Sequence, residues 1–202
     1  RAAESAAEVD PPAVHIPELP IQLTARIVPE ELREPPLHDS SLEALQKLQA
    51  AHKDALDKVV RELDSTAHFV SYAPPAFIAF KQGAYLQLSL TTDLDANAAG
   101  SQYRLAALAF DHHVSHLVRP VLASLGDTSQ YDGIDFSTTV KVAGDKDGTY
   151  TQAVEFVLPI AALRCYEKLD CTGQQLLNKG YVLVNGERIG LELQSAEANP
   201  AN

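Results

Sequence analysis

The sequence predicts an α+β fold in which three β-hairpins form an antiparallel sheet, with two main helices and one short helix packed on one face. Three observations predict it. Segments that alternate apolar and polar residues occur in pairs separated by turn residues, a pattern typical of hairpins. Two longer segments repeat apolar residues every three or four positions, as helices on a core do. No strand–helix–strand spacing repeats along the chain, which disfavours a parallel sheet.

The first helix is predicted at residues 40–65. Ser40 and Glu43 have the spacing of a capping box, in which each side chain bonds a free amide at the helix start. Apolar residues then recur at intervals of three and four, so one face of the helix is expected to pack on the core. His52 lies in that apolar stripe, where a histidine is more often a core or boundary residue with one hydrogen bond than a ligand.

The hairpins and the second helix are predicted from alternation and turn residues. The segment AYLQLSL alternates, so its leucines and its polar residues point to opposite sides of a sheet. A helix is predicted at about residues 104–125, followed by a hairpin built from IDFSTTVKV and TYTQAVEFVL. Pro159 is expected as the first residue of a short helix. Asn185-Gly186 predicts the turn of the last hairpin, because both positions tolerate a positive φ.

Residues 1–38 are predicted to form an extended proline-rich arm or linker. Seven of the chain's twelve prolines lie there, and proline interrupts both long helices and central strands. Within the arm, the segment IQLTARIV alternates well enough for an edge strand. Residues 39–194 are predicted to form a single α+β domain, and residues 195–202 a polar tail.

The charge of the chain argues against nucleic acid as a partner. Its 202 residues carry 27 acidic and 16 basic side chains, a formal net charge of −11. This charge repels phosphate backbones and anionic lipid surfaces, and no stripe of Lys and Arg offsets it. No apolar run approaches the roughly 20 residues of a membrane-spanning helix. We therefore expect no transmembrane segment in this chain.

The start of the chain and its cysteines both favour an extracytoplasmic location. The chain starts at Arg1 and has no methionine, which indicates that a targeting segment was removed or lies upstream. Cys165 and Cys171 have a spacing that fits neither a CxxC redox motif nor a four-cysteine zinc site. We expect a local disulfide between them, formed in the periplasm or outside the cell. Two separate buried thiols in a cytoplasmic protein are the alternative.

Three of the chain's seven histidines fall in the segment FDHHVSHLVRP, residues 110–120. On a helix, His112 and His116 lie one turn apart on the polar side, as paired imidazole ligands would, and His113 lies at the boundary with the apolar face. Asp111 is a candidate third ligand. The HExxH pattern of zinc proteases is missing, however, and Arg119 would oppose a cation. We therefore expect the two histidines to face solvent, with a metal site at His112, His116 and Asp111 as the alternative.

The remaining motifs give catalysis little support. The chain contains no nucleophile elbow, phosphate-binding loop or dinucleotide fingerprint. Its two aspartate-rich loops fail the spacing of calcium-binding loops. In QYDGIDF, residues 130–136, Asp132 is interpreted as a turn residue and Asp135 as an outward strand residue, rather than as paired catalytic acids.

These observations predict a non-catalytic, extracytoplasmic binding or assembly module of unknown ligand. Its expected partner is a protein or another envelope component, and no cofactor is expected. The proline-rich arm suits a tether, and the missing catalytic motifs point the same way. The alternative is a metal-dependent enzyme, a hydrolase centred on His112 and His116.

Overall fold

Six strands form one sheet in the computed structural model of the chain, which describes residues 36–65, 70–143 and 149–193. The described strands, in chain order and in sheet order, are β1 (Val70–Phe80), β2 (Gly83–Thr91), β3 (Gly133–Ala143), β4 (Thr149–Pro159), β5 (Tyr181–Val184) and β6 (Glu187–Ile189). The arm with its predicted IQLTARIV strand, the turn AGDKDG and the polar tail lie wholly or almost wholly outside the described residues.

The fold is mixed α+β, but the prediction of a purely antiparallel sheet is wrong. Strands β1 and β2, β3 and β4, and β5 and β6 pair antiparallel, and β4 also pairs antiparallel with β5. Strands β2 and β3 pair in parallel. The physical reason is the long helical connection between them, which is long enough to return the chain to the same end of the sheet. The chain contains one such crossover between described strands, so a search for a repeated strand–helix–strand spacing does not detect it.

Two of the described helices precede β1, and the others lie in the β2–β3 and β4–β5 connections. The described helices are α1 (Leu42–Ala51), α2 (Lys53–Ser65), α3 (Ala96–Ala99), α4 (Gln102–Ala109), a π-helical turn (Phe110–Val114), α5 (Ser115–Leu125), α6 (Ile160–Glu167) and α7 (Gly173–Asn178). No helix in the described ranges is both long enough and apolar enough to cross a membrane.

The first predicted helix is two helices, and its predicted cap is displaced by one residue. Ser41, not Ser40, caps α1 by accepting a hydrogen bond from the amide of Ala44. Asp39 in turn accepts from the Ser41 amide at 2.8 Å, and this bond places Ser41 at the cap. Glu43 pairs with Lys47 one turn on instead of closing a capping box.

The helix is interrupted at His52, between α1 and α2. No residue type in that segment predicts this break. His52 is half-buried and its ring bonds the Gln130 side chain at 3.3 Å, so the prediction of a boundary histidine with one hydrogen bond is confirmed. Pro159 is the last residue of β4 and the cap of α6, one position earlier than predicted. Asn185 and Gly186 have φ values of 52° and 81°, as the predicted turn requires.

One hydrophobic core joins the inward-facing strand residues to the helices. The leucines of β2 are fully buried, as their alternation predicts, and Ile134, Phe136 and Val140 of β3 share that core. The apolar face of the second long helical segment is also buried as predicted; its members are Phe110, Val114, Leu117, Val118, Val121 and Leu125. The strand residues that alternate with these core residues therefore face away from the core and form the opposite surface of the sheet.

Glutamine side chains cap backbone groups at both edges of the sheet. At β1, the Gln49 amide donates to the Pro75 carbonyl at 3.0 Å and accepts from the Phe77 amide at 3.1 Å. Just beyond β6, Gln174 donates to the Leu191 carbonyl and accepts from the Leu193 amide. Each glutamine thus supplies the donor and the acceptor that a further strand would supply, and such edge protection hinders pairing with other chains.

The predicted disulfide is present. Cys165 and Cys171 are bonded across the end of α6, with their Cα atoms 5.4 Å apart. Between them, Leu169 has a φ of 64° and is 76% exposed. The Leu169 amide bonds the Tyr166 carbonyl and the Asp170 amide bonds that of Cys165, which is the Schellman ending of a helix. Glycine is the usual residue at this left-handed position, so leucine is strained there.

Candidate functional site

The face of the sheet that points away from the core carries a cluster of polar and aromatic residues. Strand register places three of them in one row with Val157, in the order Gln87 (β2), Asp135 (β3), Val157 (β4) and Tyr181 (β5). We call this surface the outward face. Asp135 lies on the side of β3 away from the core, as predicted, but it is only 1% exposed.

Asp135 is a buried carboxyl group that is only half satisfied. Its Oδ2 accepts a hydrogen bond from Gln87 Nε2 at 2.8 Å. Its Oδ1 is buried and has no hydrogen-bond partner within the described part of the chain. Burial, which penalises the charged form, raises the pKa of Asp135 to about 7, and the negative Glu155 adds to this while the Gln87 bond opposes it. Near neutral pH this group therefore changes between acid and carboxylate.

Glu155 of β4 is the second acid of the outward face. Ser137 pairs with Glu155 and Asp135 with Val157, so the two acids are diagonal neighbours, with Cβ atoms roughly 7 Å apart in such pairs. Glu155 is half-buried, and burial raises its pKa as well. Ser89 and Ser137, one row further along, are 8% and 6% exposed. The centre of the face is therefore rich in hydrogen-bond acceptors that water reaches poorly.

Three aromatic rings cover the end of the outward face next to the β1–β2 turn. Tyr85 lies over Gly133, where a Cβ would come within 2.4 Å of the tyrosine ring and of the Leu158 carbonyl; glycine is therefore required there. The Phe80 ring contacts Tyr85 at 5.5 Å and Tyr181 at 5.4 Å between centroids, both edge to face. The rings therefore extend across the sheet from β2 to β5.

Two cationic side chains lie over the outermost ring. Lys81 Nζ is 3.9 Å and Arg188 Cζ is 4.5 Å from the centre of the Tyr181 ring, within the range of cation–π interactions. Neither cation has an acidic partner within ion-pair distance among the described residues. Lys81 and Gln82 form the two-residue β1–β2 turn with φ values of 44° and 70°, where glycine or asparagine is usual. Strained backbone of this kind is enriched at functional sites.

Comparison of the chain with protein-family models, with curated proteins and with solved structures gave no match. Buried acceptor oxygens favour ligand groups that donate hydrogen bonds, and the cationic end favours groups that carry negative charge. A carboxyl group with a pKa near 7 is also the kind of perturbed group that concentrates at functional sites.

The histidine segment lies elsewhere, on α5 and the π-helical turn before it. His112 and His116 are exposed, as predicted from the apolar face opposite them. Among the described residues, no group of three or more His, Cys, Asp and Glu side chains is placed so that it could hold a metal ion. Asp111 is half-buried, and its carbonyl accepts from the Ser115 hydroxyl at 2.7 Å. The metal site stays a prediction that only an experiment can test.

His113, expected at the boundary of the helix, is buried with 2% exposure. Its Nε2 is hydrogen-bonded to the hydroxyl of Thr92, which is also buried. The π-helical turn at Phe110–Val114 explains the difference, because it puts an extra residue into one turn and shifts the following positions around the axis. Single π-helical turns are frequent at functional sites, but the bond to Thr92 already gives His113 a structural role.

The two acids of the motif QYDGIDF, Asp132 and Asp135, have different structural environments. Asp132 accepts from the backbone amide and Nδ1 of His38 and from the Ala84 amide at 2.8 Å. Its own amide and carbonyl bond Ala84 and Ile160. Asp132 therefore links the start of the described chain to β2 and α6 through hydrogen bonds. These contacts add a structural role to its interpretation as a turn residue. Asp135 alone belongs to the outward face.

Sequence reasoning missed most of this site. Alternation along each strand assigns Gln87, Asp135 and Glu155 to the polar side, but only register shows that they are neighbours. Tyr181 and Arg188 come from the last hairpin, about one hundred residues after Lys81 in the chain. The one signal available in the sequence was the turn Lys81-Gln82, which lacks the glycine or asparagine that such hairpins favour.

Proposed function

We propose that the protein is a non-catalytic binding or assembly module that works outside the cytoplasm, in the periplasm or after secretion, and that it contacts its ligand through the outward face. The observation that supports this most is the buried Asp135 oxygen without a hydrogen bond. Leaving such a group unsatisfied costs about 1–3 kcal/mol. A residue such as serine or valine at this strand position would avoid the cost, so the carboxyl group serves something other than stability.

A ligand that donates a hydrogen bond to Asp135 Oδ1 would supply the missing interaction. That oxygen is closed to solvent, so side chains above it must move when the ligand arrives. Phe80 contacts the neighbouring rings of Tyr85 and Tyr181 edge to face, without a hydrogen bond, and such contacts permit movement on this face. Binding would then remove most of the cost of the buried carboxyl group, and this gain adds to the affinity.

The proposed location outside the cytoplasm is supported by the Cys165–Cys171 disulfide. Disulfides persist in oxidising compartments and are rare in reducing ones. The lack of a membrane-spanning helix in the described residues is compatible with this location. A protein or another envelope component is the proposed partner.

The test is a comparison of immobilised wild type with Asp135→Asn, which keeps the shape of the side chain and removes its charge. Asp93→Asn, an exposed change on a loop, is the matched control. Both variants are exposed to native envelope extract, and the bound proteins and small molecules are identified by mass spectrometry. We expect a species retained by wild type and by Asp93→Asn but lost with Asp135→Asn. Equal retention by all three proteins would contradict a ligand contact at Asp135.

A metal-dependent hydrolase centred on His112 and His116 is the second candidate. The observation in its favour is that both side chains are exposed and lie one helical turn apart. A third ligand would have to come from Asp111 or from a residue outside the described ranges. Metal analysis of the purified protein separates the two proposals, because a bound ion in stoichiometric amount that His112→Ala releases would favour the enzyme.

A further inference from the structure

We infer that Lys81, Tyr181 and Arg188 form a binding site for an anionic group, a carboxylate or a phosphate, of the ligand. This inference rests on the proposed binding role of the outward face and adds the chemical class of the group bound at its end. The three residues come from the β1–β2 turn, β5 and β6, and they meet only in the folded sheet.

The distances allow one anion beside the Tyr181 ring to contact both cations. Lys81 Nζ and Arg188 Cζ are each close to the centre of the same ring, so they cannot be more than roughly 8 Å apart. A carboxylate or phosphate whose oxygens accept bonds of about 2.8 Å from each cation bridges such a span. The planar guanidinium of Arg188 can bind two oxygens at once, and the ammonium of Lys81 supplies further donors.

In the described part of the chain, the fold brings two cations, Lys81 and Arg188, to the same aromatic ring without an acid between them. The protein carries 27 acidic residues against 16 basic ones, yet neither Lys81 nor Arg188 has an acidic partner among the described residues. Two positive groups close together repel each other, and an anion between them removes this repulsion.

The backbone also fixes the position of Lys81 at a cost. Lys81 and Gln82 both have positive φ, a conformation that most side chains adopt only with strain. The turn directs the lysine over the Tyr181 ring, and Tyr181 is held in turn by Phe80. The site is therefore preorganised, so an anion does not have to immobilise two freely moving side chains when it binds.

The experiment is an NMR titration of the ¹⁵N-labelled full chain at neutral pH with inorganic phosphate and, separately, with acetate. Sodium chloride at matched ionic strength is the reference. We expect saturable shifts of the Arg188 Nε–H signal and of the Lys81 and Tyr181 amides. Saturation by phosphate alone indicates a phosphate-bearing ligand, and saturation by acetate alone indicates a carboxylate. Saturation by both indicates a site that recognises negative charge without distinguishing the two groups. Each of these results supports the inference.

The variants Lys81→Gln and Arg188→Gln should each lower the affinity for the anion about tenfold, because each removes one charge-assisted contact. Arg61→Gln, which changes an exposed cation on α2, is the matched control and should bind as wild type does. Thermal melting confirms that each variant is folded. Absence of saturable shifts beyond the chloride reference would overturn the inference, and so would equal binding by the Lys81→Gln/Arg188→Gln double variant.

The two proposals fail separately. If no anion binds but Asp135→Asn still loses a retained species from envelope extract, the outward face is a binding surface and only the anionic class is wrong. If phosphate or acetate binds at Lys81 and Arg188 while retention is independent of Asp135, the anion site stands and the ligand contact at Asp135 fails.

Discussion

Replacing Asp135 by asparagine should stabilise the protein at neutral and alkaline pH. In the folded chain burial holds the pKa of Asp135 at about 7, well above the ordinary value of 3.8 that applies when the chain is unfolded. Below pH 4 both states keep the proton, so the penalty for ionising the buried carboxyl group is absent. As pH rises from 4 to 7 only the unfolded state loses its proton, so stability falls. Above pH 7 the full penalty applies.

The magnitude follows from the size of the shift. Each pH unit of the window lowers the free energy of unfolding by about 1.4 kcal/mol, so the whole window costs about 4 kcal/mol. Asparagine is neutral throughout and can still accept the Gln87 bond, but an asparagine NH₂ group that is buried without an acceptor costs about 1–3 kcal/mol. At pH 8 we therefore expect Asp135→Asn to be more stable than wild type by about 2 kcal/mol.

Urea denaturation of wild type and variant between pH 4 and pH 8.5, at constant ionic strength, measures this difference. The stability of the variant minus that of wild type should rise steadily from pH 4 to 7 and then level off. Glu155→Gln should move the levelling point to lower pH, since the negative charge of Glu155 contributes to raising the pKa of Asp135. Asp93→Asn controls for the loss of one exposed charge. A difference that stays flat, or that falls with rising pH, would refute the reasoning.

Three further changes test other parts of the fold. Gln49→Leu leaves the β1 edge uncapped, so we expect a loss of about 1–2 kcal/mol and concentration-dependent association in light scattering; Gln46→Leu, one turn earlier and exposed, should do neither. Leu169→Gly removes strain at φ 64° and should raise the free energy of unfolding by about 1 kcal/mol, whereas unchanged or lower stability would show that the leucine makes contacts that matter. His112→Ala with His116→Ala should change stability by less than about 0.5 kcal/mol, with or without chelator; a wild type that chelator destabilises would instead establish the metal site.

The hairpins and the core could be predicted because they depend on local patterns. Alternation assigns the β2 leucines to the core whatever their partners are, and burying that side is the main stabilising contribution. The Asn185-Gly186 turn depends on the φ preferences of two residues. The exposure of His112 and His116 follows from the apolar residues on the opposite side of the same helix. In each case the deciding atoms lie within a few positions in the sequence.

The errors arise where distant groups decide the outcome. The cap of α1 moved to Ser41 because the Asp39 side chain captures its amide. The parallel pairing of β2 with β3 depends on how a long helical connection packs, which no window of the sequence contains. His113 became buried because a π-helical turn rotates it towards Thr92.

The sequence alone determined the α+β class, the apolar faces, the hairpin turns and the cysteine pair, since each depends on neighbours in the chain. Only the tertiary structure decided which polar residues meet. Asp135 is an ordinary outward strand residue in the sequence; its pKa near 7 results from burial and from Glu155 on the next strand. Lys81 and Arg188 become a pair only because the sheet brings the β1–β2 turn to Tyr181 of the last hairpin. Desolvation and through-space charge depend on three-dimensional distance, and distance across a sheet is set by strand register.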